Sequence, residues 1–394
     1  MALVWLRWIA IAVFALKQAA GERRERAEHL RLLRAKGWPP VSIVVPAYNE
    51  EQLIGETLER LLRLGYPHME VIVVNDGSLD ATGAVIEKLI SADGPRPRYI
   101  DRRTNQGKAA ALNLGVARAA HDIILTIDAD TVLSLRSLKY LMLCFMDESI
   151  AAATSNVRVG NPRSVLTRWQ ELEYITGLHT ERRAQSHLNC ITTLSGAACA
   201  YRRDALQSAG GFSCGTLVED TEMTLRLAAT NVPMRFASRA ISYSEAPWTL
   251  GDLARQRFRW LYGSLQCIRL HLGAWTRTSN TALRCFGFPN FVYNNLLVFF
   301  IYPIYVGYIA VLMGDFSPFL LALVASFLLV ETLISLLACL LSGRGVGILV
   351  HVVPQRLFYM FFLFVIFLRC LGAFLMKRRP GWLKVGRSGT WLRR

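Results

Sequence analysis

The sequence predicts an α/β domain fused to α-helical membrane spans, and three observations predict it. Between residues 41 and 128, short β-branched apolar runs alternate with helical patterns, and each run ends in polar residues. Further on come apolar runs at residues 291–313, 316–341 and 357–376, each long enough to cross a bilayer. The hydrophobic share is 53% and the mean hydropathy +0.29, too apolar for an ordinary soluble chain and too polar for one lying wholly in lipid.

In chain order, residues 1–16 are apolar apart from Arg7, and Lys17 closes the segment. It is short for a span, so it reads as a short or tilted membrane helix or an interfacial one; the reading adopted is a membrane helix over 1–20. Its charges come after it, at Arg23, Arg24 and Arg26, unlike a signal peptide, and they place the downstream domain in the cytoplasm. Residues 21–40 read as a basic linker ending at Trp38-Pro39-Pro40. The strand VSIVVP begins the α/β domain (41–248), followed by a helix with Leu53, Leu58, Leu61 and Leu62 on one face. EVIVVND is a second buried strand, with a helix from about Asp80. A short third strand covers 98–100, and an Ala-rich helix over 107–119 leads into IILTIDADT. The rest of the domain is less regular. Residues 249–275 form an amphipathic helix in which Leu253, Phe258, Leu261 and Leu265 interleave with Arg255, Arg257, Arg259 and Arg269, as in a helix lying among headgroups. The remainder, 276–394, carries the apolar runs and a basic tail. Glu331 lies within the second run, where it serves either function or helix pairing.

Charge and cysteines narrow the function. The net charge is +16, but six Lys/Arg cluster in 21–36 and seven in 377–394, beside apolar segments. That distribution suits a membrane surface and speaks against a nucleic-acid footprint. The tail's charges argue that it stays inside, whereas three crossings would put it outside; the reading adopted is three crossings. Eight cysteines show neither CxxC nor zinc-type spacing and read as reduced thiols.

The chemistry centres on IILTIDADT. A buried strand runs into Asp128 and Asp130 at the carboxyl rim of the sheet, where open α/β sheets bind ligands. Two carboxylates there call for a positive partner. A hard divalent cation, Mg2+ or Mn2+, carrying a diphosphate meets that need. Loops ending at Asn49 and Asp76 fall on the same rim. In NQGKAAALN, Lys108 sits in the first turn of a helix, either neutralising a bound nucleotide or facing solvent. Ser195-Gly196-Ala197-Ala198 marks close backbone approach. Glu219, Asp220 and Glu222 open a helix, where acids either cap the dipole or supply a base.

Together VPAYNE, VVNDGS, NQGKA, DAD, SGA, EDTE and QRFRW, in this order over residues 41–265, resemble the processive family 2 glycosyltransferases, which include the poly-N-acetylglucosamine, chitin-oligosaccharide, cellulose and hyaluronan synthases. The resemblance implies a GT-A (Rossmann-like) catalytic domain on the cytoplasmic side of the inner membrane. It implies that Asp76 contacts the nucleoside, that Asp130, with Asp128, holds the metal, and that Asp220 is the base, although Val218 replaces the usual Thr of its motif. It further implies that Tyr48, Asn49, Glu50, Lys108 and Arg259 meet the nucleotide sugar. Ser195, Gly196, Gln256 and Trp260 are implied at the acceptor, with Gln256, Arg259 and Trp260 completing QxxRW. The expected activity is inverting polymerisation of a UDP-sugar, with UDP-N-acetylglucosamine the best match from GNPRS, SGA and QRFRW. The alternative is transfer of one sugar to a lipid acceptor. Expected partners are the UDP-sugar, a growing polysaccharide or glycolipid, the bilayer, and a small membrane subunit or a second copy of the chain.

Overall fold

The computed structural model describes residues 2–91, 94, 96–301, 318–378 and 389. Helix α1 (Ala2–Lys36) precedes the alternating half: β1 (Val41–Ala47), α2 (Ile54–Leu62), β2 (Met69–Asp76), α3 (Thr82–Ser91), β3 (Arg98–Arg102), α4 (Lys108–Arg118) and β4 (Ile123–Ile127). β1, β2, β3 and β4 pair in parallel, with Val41 opposite both Met69 and Ile123. Every residue of β1 and β4 is buried. Strands covered by helices on both faces need such continuous apolar runs, and this is what made them readable.

The second half adds β5 (Val132–Leu133), α5 (Ser137–Leu143), β6 (Ala152–Val159), α6 (Val165–Glu173), a π-helical turn (Tyr174–Glu181) and α7 (Arg182–His187). Then come β7 (Ala198–Arg202), α8 (Arg203–Ser208), α9 (Glu219–Ala229) and β8 (Met234–Ser244). One mixed sheet results, in the order β3-β2-β1-β4-β7-β6-β8-β5. β7 runs antiparallel to β4 with Ala198 opposite Ile127, so the turn before β7 arrives beside the DAD turn, where Asp128 N donates to Ala197 O at 3.3 Å. The π turn widens a helix that Ser164 caps through a capping box with Thr167. Within it the Thr180 hydroxyl donates to Ile175 O, five residues earlier, at 3.0 Å.

After the sheet, α10 (Leu250–Trp275) packs across α9, followed by a π turn (Leu283–Gly287), α11 (Phe288–Val292) and a further π turn (Tyr293–Leu297). α12 (Pro318–Ser342) is followed by a 3₁₀ turn (Val346–His351), a π turn (Gln355–Tyr359) and α13 (Met360–Leu375). Among the described residues, Val4–Lys36, Val324–Ser342 and Val346–Leu375 are helical stretches long and apolar enough to cross a membrane. Of the first apolar run, 302–313 lie outside the described residues, as do 316–317 of the second and 379–388 and 390–394 of the tail.

The basic stretch expected as a linker is, through Lys36, the continuation of α1. Its Arg, Glu, Ala and Leu are strong helix formers. It is also anchored: Glu22 pairs with Arg183 at 2.9 Å and accepts from Ser238 Oγ. Glu331 serves helix pairing. Its carboxylate takes Arg356 at 2.7 Å and Trp8 Nε1 at 2.9 Å, tying α12 to the segment before α13 and to α1.

Candidate active site

The ends of β1, β2 and β4 open on one side of the sheet into a cavity of about 800 Å³, lined there by Tyr48, Glu50, Asp76, Lys108, Asp128 and Asp130. Asp76 is buried at the end of β2. Its carboxylate accepts from Gly107 N at 2.8 Å and Gln106 N at 3.2 Å and pairs with Arg102 at 3.1 Å. It therefore fixes the loop before α4 that delivers Lys108. Asn49, expected at the nucleotide, is not among the cavity-lining residues. Its φ of 55° turns it toward the neighbouring loop, where Oδ1 accepts from Leu79 N at 2.7 Å and its N–H donates to Ser78 Oγ at 2.9 Å. Asn tolerates that left-handed conformation better than other side chains, which explains it as a loop tie.

Asp128 and Asp130 sit in a turn closed by Thr131 N to Asp128 O at 3.0 Å and held down by Thr57 Oγ1 on Ala129 O at 2.8 Å. Lys108 Nζ lies 2.6 Å from Asp128 and 2.8 Å from Glu219, bridging the sheet rim to the start of α9. Those two carboxylates and Asp220 outweigh the effect of burial on Lys108 and raise its pKa, so it stays charged. Asp220 accepts from Thr221 N at 2.7 Å and Gly196 N at 2.8 Å. Burial first, then the neighbouring Glu219, raise its pKa above the ordinary aspartate value, against the pull of Lys108 and the two N–H groups. Gly196 fits closely into this corner. A Cβ there would lie 3.1 Å from Asp220 Oδ2 and 3.2 Å from Lys108 Nζ. Among the described residues no three His, Cys, Asp or Glu cluster for a metal. Asp128 and Asp130, hard oxygen donors one residue apart, still suit an ion that takes one or two carboxylates and completes its shell from a diphosphate.

The family described as glycosyltransferase like family 2 matches residues 39–263, more than half of the chain. The chain belongs to glycosyltransferase family 2. A poly-beta-1,6-N-acetyl-D-glucosamine synthase of Staphylococcus epidermidis is 30% identical over 244 residues, 62% of this glycosyltransferase and 59% of that protein. The Staphylococcus aureus (strain COL) synthase of the same name is 28% identical over 268 residues, 68% of this chain and 64% of its own. The glycosyltransferase thus spans under two thirds of the length of these curated relatives. The mannosyltransferase PcManGT of Pyrobaculum calidifontis, solved with GDP-Man and Mn2+, superposes with a TM-score of 0.52 at 19% identity, covering 89% of this chain and 99% of its own. That likeness concerns the fold, which is GT-A.

In this glycosyltransferase the cavity continues from Asp220, past Ser195 and Gly196, to Gln256, Arg259 and Trp260 on α10. Gln256 is 5% exposed, and its Oε1 has no hydrogen-bond partner among the described residues. Arg257, which no sequence motif assigns, holds this part of α10 in place. It donates to Glu173 at 2.6 Å and to Tyr359 Oη at 3.0 Å, and its guanidinium lies 4.3 Å from the Trp260 ring centroid. Val218, standing where the family pattern has Thr, is buried against α10, where a Cβ on Gly263 would come within 2.7 Å of it. Beyond Trp260 the lining passes to Tyr174 and Glu181 of the π turn, then to Phe291, Val298, Phe299 and Leu363 of the apolar helices.

Proposed function

We propose that this glycosyltransferase is a membrane polysaccharide synthase. It extends a β-linked chain from a UDP-sugar, UDP-N-acetylglucosamine by likeness to its named relatives, and passes the product between its apolar helices. The observation that carries the reading is the continuity of one cavity from the Asp76–Asp130 rim, past Asp220, to Phe299 and Leu363.

Tyr48, Glu50, Asp76, Lys108 and Asp128 would face the nucleotide end of the donor. Asp130, with Asp128, would hold Mg2+ or Mn2+, which when bound neutralises charge on the departing diphosphate. Arg259 would add a fixed positive charge on the same side, where stabilisation counts because charge develops there. Asp220, poised by a raised pKa, would take the proton from the acceptor hydroxyl as it attacks the anomeric carbon. One displacement inverts an α-linked donor into a β-linked product. Trp260 would stack the terminal ring, and Gln256, Ser195 and Gly196 would frame it. The Val4–Lys36, Val324–Ser342 and Val346–Leu375 stretches support an inner-membrane location, with the sheet domain in the cytoplasm and a second copy or small subunit completing the passage.

The test is the product-length distribution from UDP-N-acetylglucosamine in reconstituted vesicles. A ladder of oligosaccharides that shortens in Trp260→Ala is expected. Single-sugar glycolipid at every donor concentration would replace polymerisation by the lipid-transferase reading.

A further inference from the structure

A buried charge needs a partner, and the cations around the cavity mostly have one. Lys108 pairs with Asp128 and Glu219, Arg257 with Glu173, and Arg7 with Glu181 at 2.9 Å. Arg182 does not follow this pattern. It is the first residue of α7, lines the cavity and is 4% exposed, and its Nη1 is buried without a hydrogen-bond partner among the described residues. The next residue, Arg183, is satisfied by Glu22 and Gln18, so the fold supplies acceptors to the neighbouring guanidinium and leaves Nη1 of Arg182 without one. Burial pulls the pKa of Arg182 down to about 10, with Asp220 the leading opposing influence, and the guanidinium remains charged at neutral pH. Asp220 and Glu181 favour the charge without giving Nη1 a hydrogen bond, and a buried donor left without an acceptor is costly to keep, which points to a group that arrives from outside the chain.

The chemistry of that group can be read from what else is unsatisfied in the same cavity. Gln256 Oε1 is a buried acceptor with no donor among the described residues. A phosphodiester or an ionised carboxylate could accept from Arg182 but has no proton for Gln256. A sugar bearing hydroxyls and an acetamido group offers acceptor oxygens and donor O–H or N–H groups together. We propose that Arg182 is an acceptor-positioning residue, whose guanidinium donates to an oxygen of the acceptor's terminal sugar and so presents the attacking hydroxyl to Asp220. This rests on the synthase reading above, and it assigns a role to a position outside the DxD, SGA and QxxRW motifs.

The experiment uses the full chain in detergent or nanodiscs, with a β-1,6-linked N-acetylglucosamine trisaccharide as the probe. Arg182→Met is expected to raise KM for the trisaccharide about ten- to a hundredfold, as loss of a charge-assisted hydrogen bond implies, while KM for UDP-N-acetylglucosamine stays. Without ligand, the Met variant should melt no lower than wild type, because it removes a buried N–H group that lacks an acceptor among the described residues. The trisaccharide should stabilise wild type and leave the Met variant unmoved, with Arg182→Lys in between. A Met variant that melts lower and weakens donor and acceptor alike would make Arg182 a structural residue and overturn the inference. So would a wild type that hydrolyses UDP-N-acetylglucosamine but gains no thermal stability from the trisaccharide, an outcome that leaves the donor reading standing. Absence of any UDP release from wild type would instead overturn the synthase reading and the inference with it.

Discussion

Gly196→Ala tests how tightly Asp220, the proposed base, is held. The added methyl would meet Asp220 Oδ2 at 3.1 Å and Lys108 Nζ at 3.2 Å, a few tenths of an ångström inside ordinary contact. The backbone of Gly196 cannot retreat freely, because its own N–H donates to Asp220 at 2.8 Å. The strain is therefore relieved by moving the carboxylate or the ammonium. Lys108 is the far end of a flexible side chain, but it is tethered at 2.6 Å and 2.8 Å to two acids. Overpacking of this kind costs about 1–3 kcal/mol where nothing can yield. A positioned general base contributes roughly 10²–10⁴ in rate, so displacing it partly should remove about 10- to 100-fold of kcat, or ~1.4–2.7 kcal/mol in the barrier. The assay is UDP release from UDP-N-acetylglucosamine at saturating acceptor, with donor affinity measured separately by UDP titration. A variant with near-wild-type kcat would refute the claim that Gly196 and Asp220 form one tightly fitted unit, whereas loss of donor affinity alone would move the contact's role to Lys108.

Further outcomes are expected from the structure. Asp220→Asn should abolish transfer while UDP still binds. In wild type a base must be ionised, and the pKa of Asp220 is raised, so activity should be lost as pH falls through a value above the ordinary aspartate range. Glu219→Gln should shift that acid limb downward by removing a charge that raises it, as a pH profile of kcat/KM would reveal. Asp130→Ala should lose metal-dependent UDP binding in calorimetry, and wild-type activity that survives a chelator would contradict the assignment. Glu331→Ala would leave the half-buried Arg356 without its carboxylate and the buried Trp8 without its acceptor, so the thermal midpoint in detergent should fall by the equivalent of about 1–3 kcal/mol; an unchanged midpoint would mean the pair is dispensable.

The half of the sheet that carries the donor rim was legible because its strands answer to one local rule. β1, β2 and β4 are buried on both faces and spell that burial in consecutive Val, Ile and Leu. β6 is almost wholly buried and β8 in part, yet their sequences AATSNVRV and MRFASRAISYS carry no such run. They bury polar groups by pairing them across the sheet: Ser155 Oγ with Ser242 Oγ at 2.7 Å, and Asn156 Nδ2 on Ser238 O at 2.9 Å. A hydroxyl or amide satisfied by a residue some eighty positions away looks like a surface residue until the partner is known. The π turn is hidden for a related reason, since one inserted residue shifts a helical face without altering its composition.

The same distinction runs through Gln256–Trp260. The motif names the positions that line the cavity, Gln256, Arg259 and Trp260, and leaves Arg257 unspecified. Arg257 is nonetheless 4% exposed, and its charge is tolerated in that place because Glu173, 84 residues earlier, and Tyr359, 102 residues later, both reach it. No local periodicity can encode a pairing of that span. On the sequence alone, Arg257 reads as one more basic residue of an amphipathic helix, expected to face headgroups. In the folded chain it bonds α10 to the end of α6 and the π turn before α13, while its guanidinium lies against the Trp260 ring. The neighbouring motif residues therefore inherit their placement from an arginine that the motif does not record. Replacing it would disturb Trp260 and the junction with the apolar helices together, which is why a mutation at 257 could imitate loss of the motif without touching a motif residue.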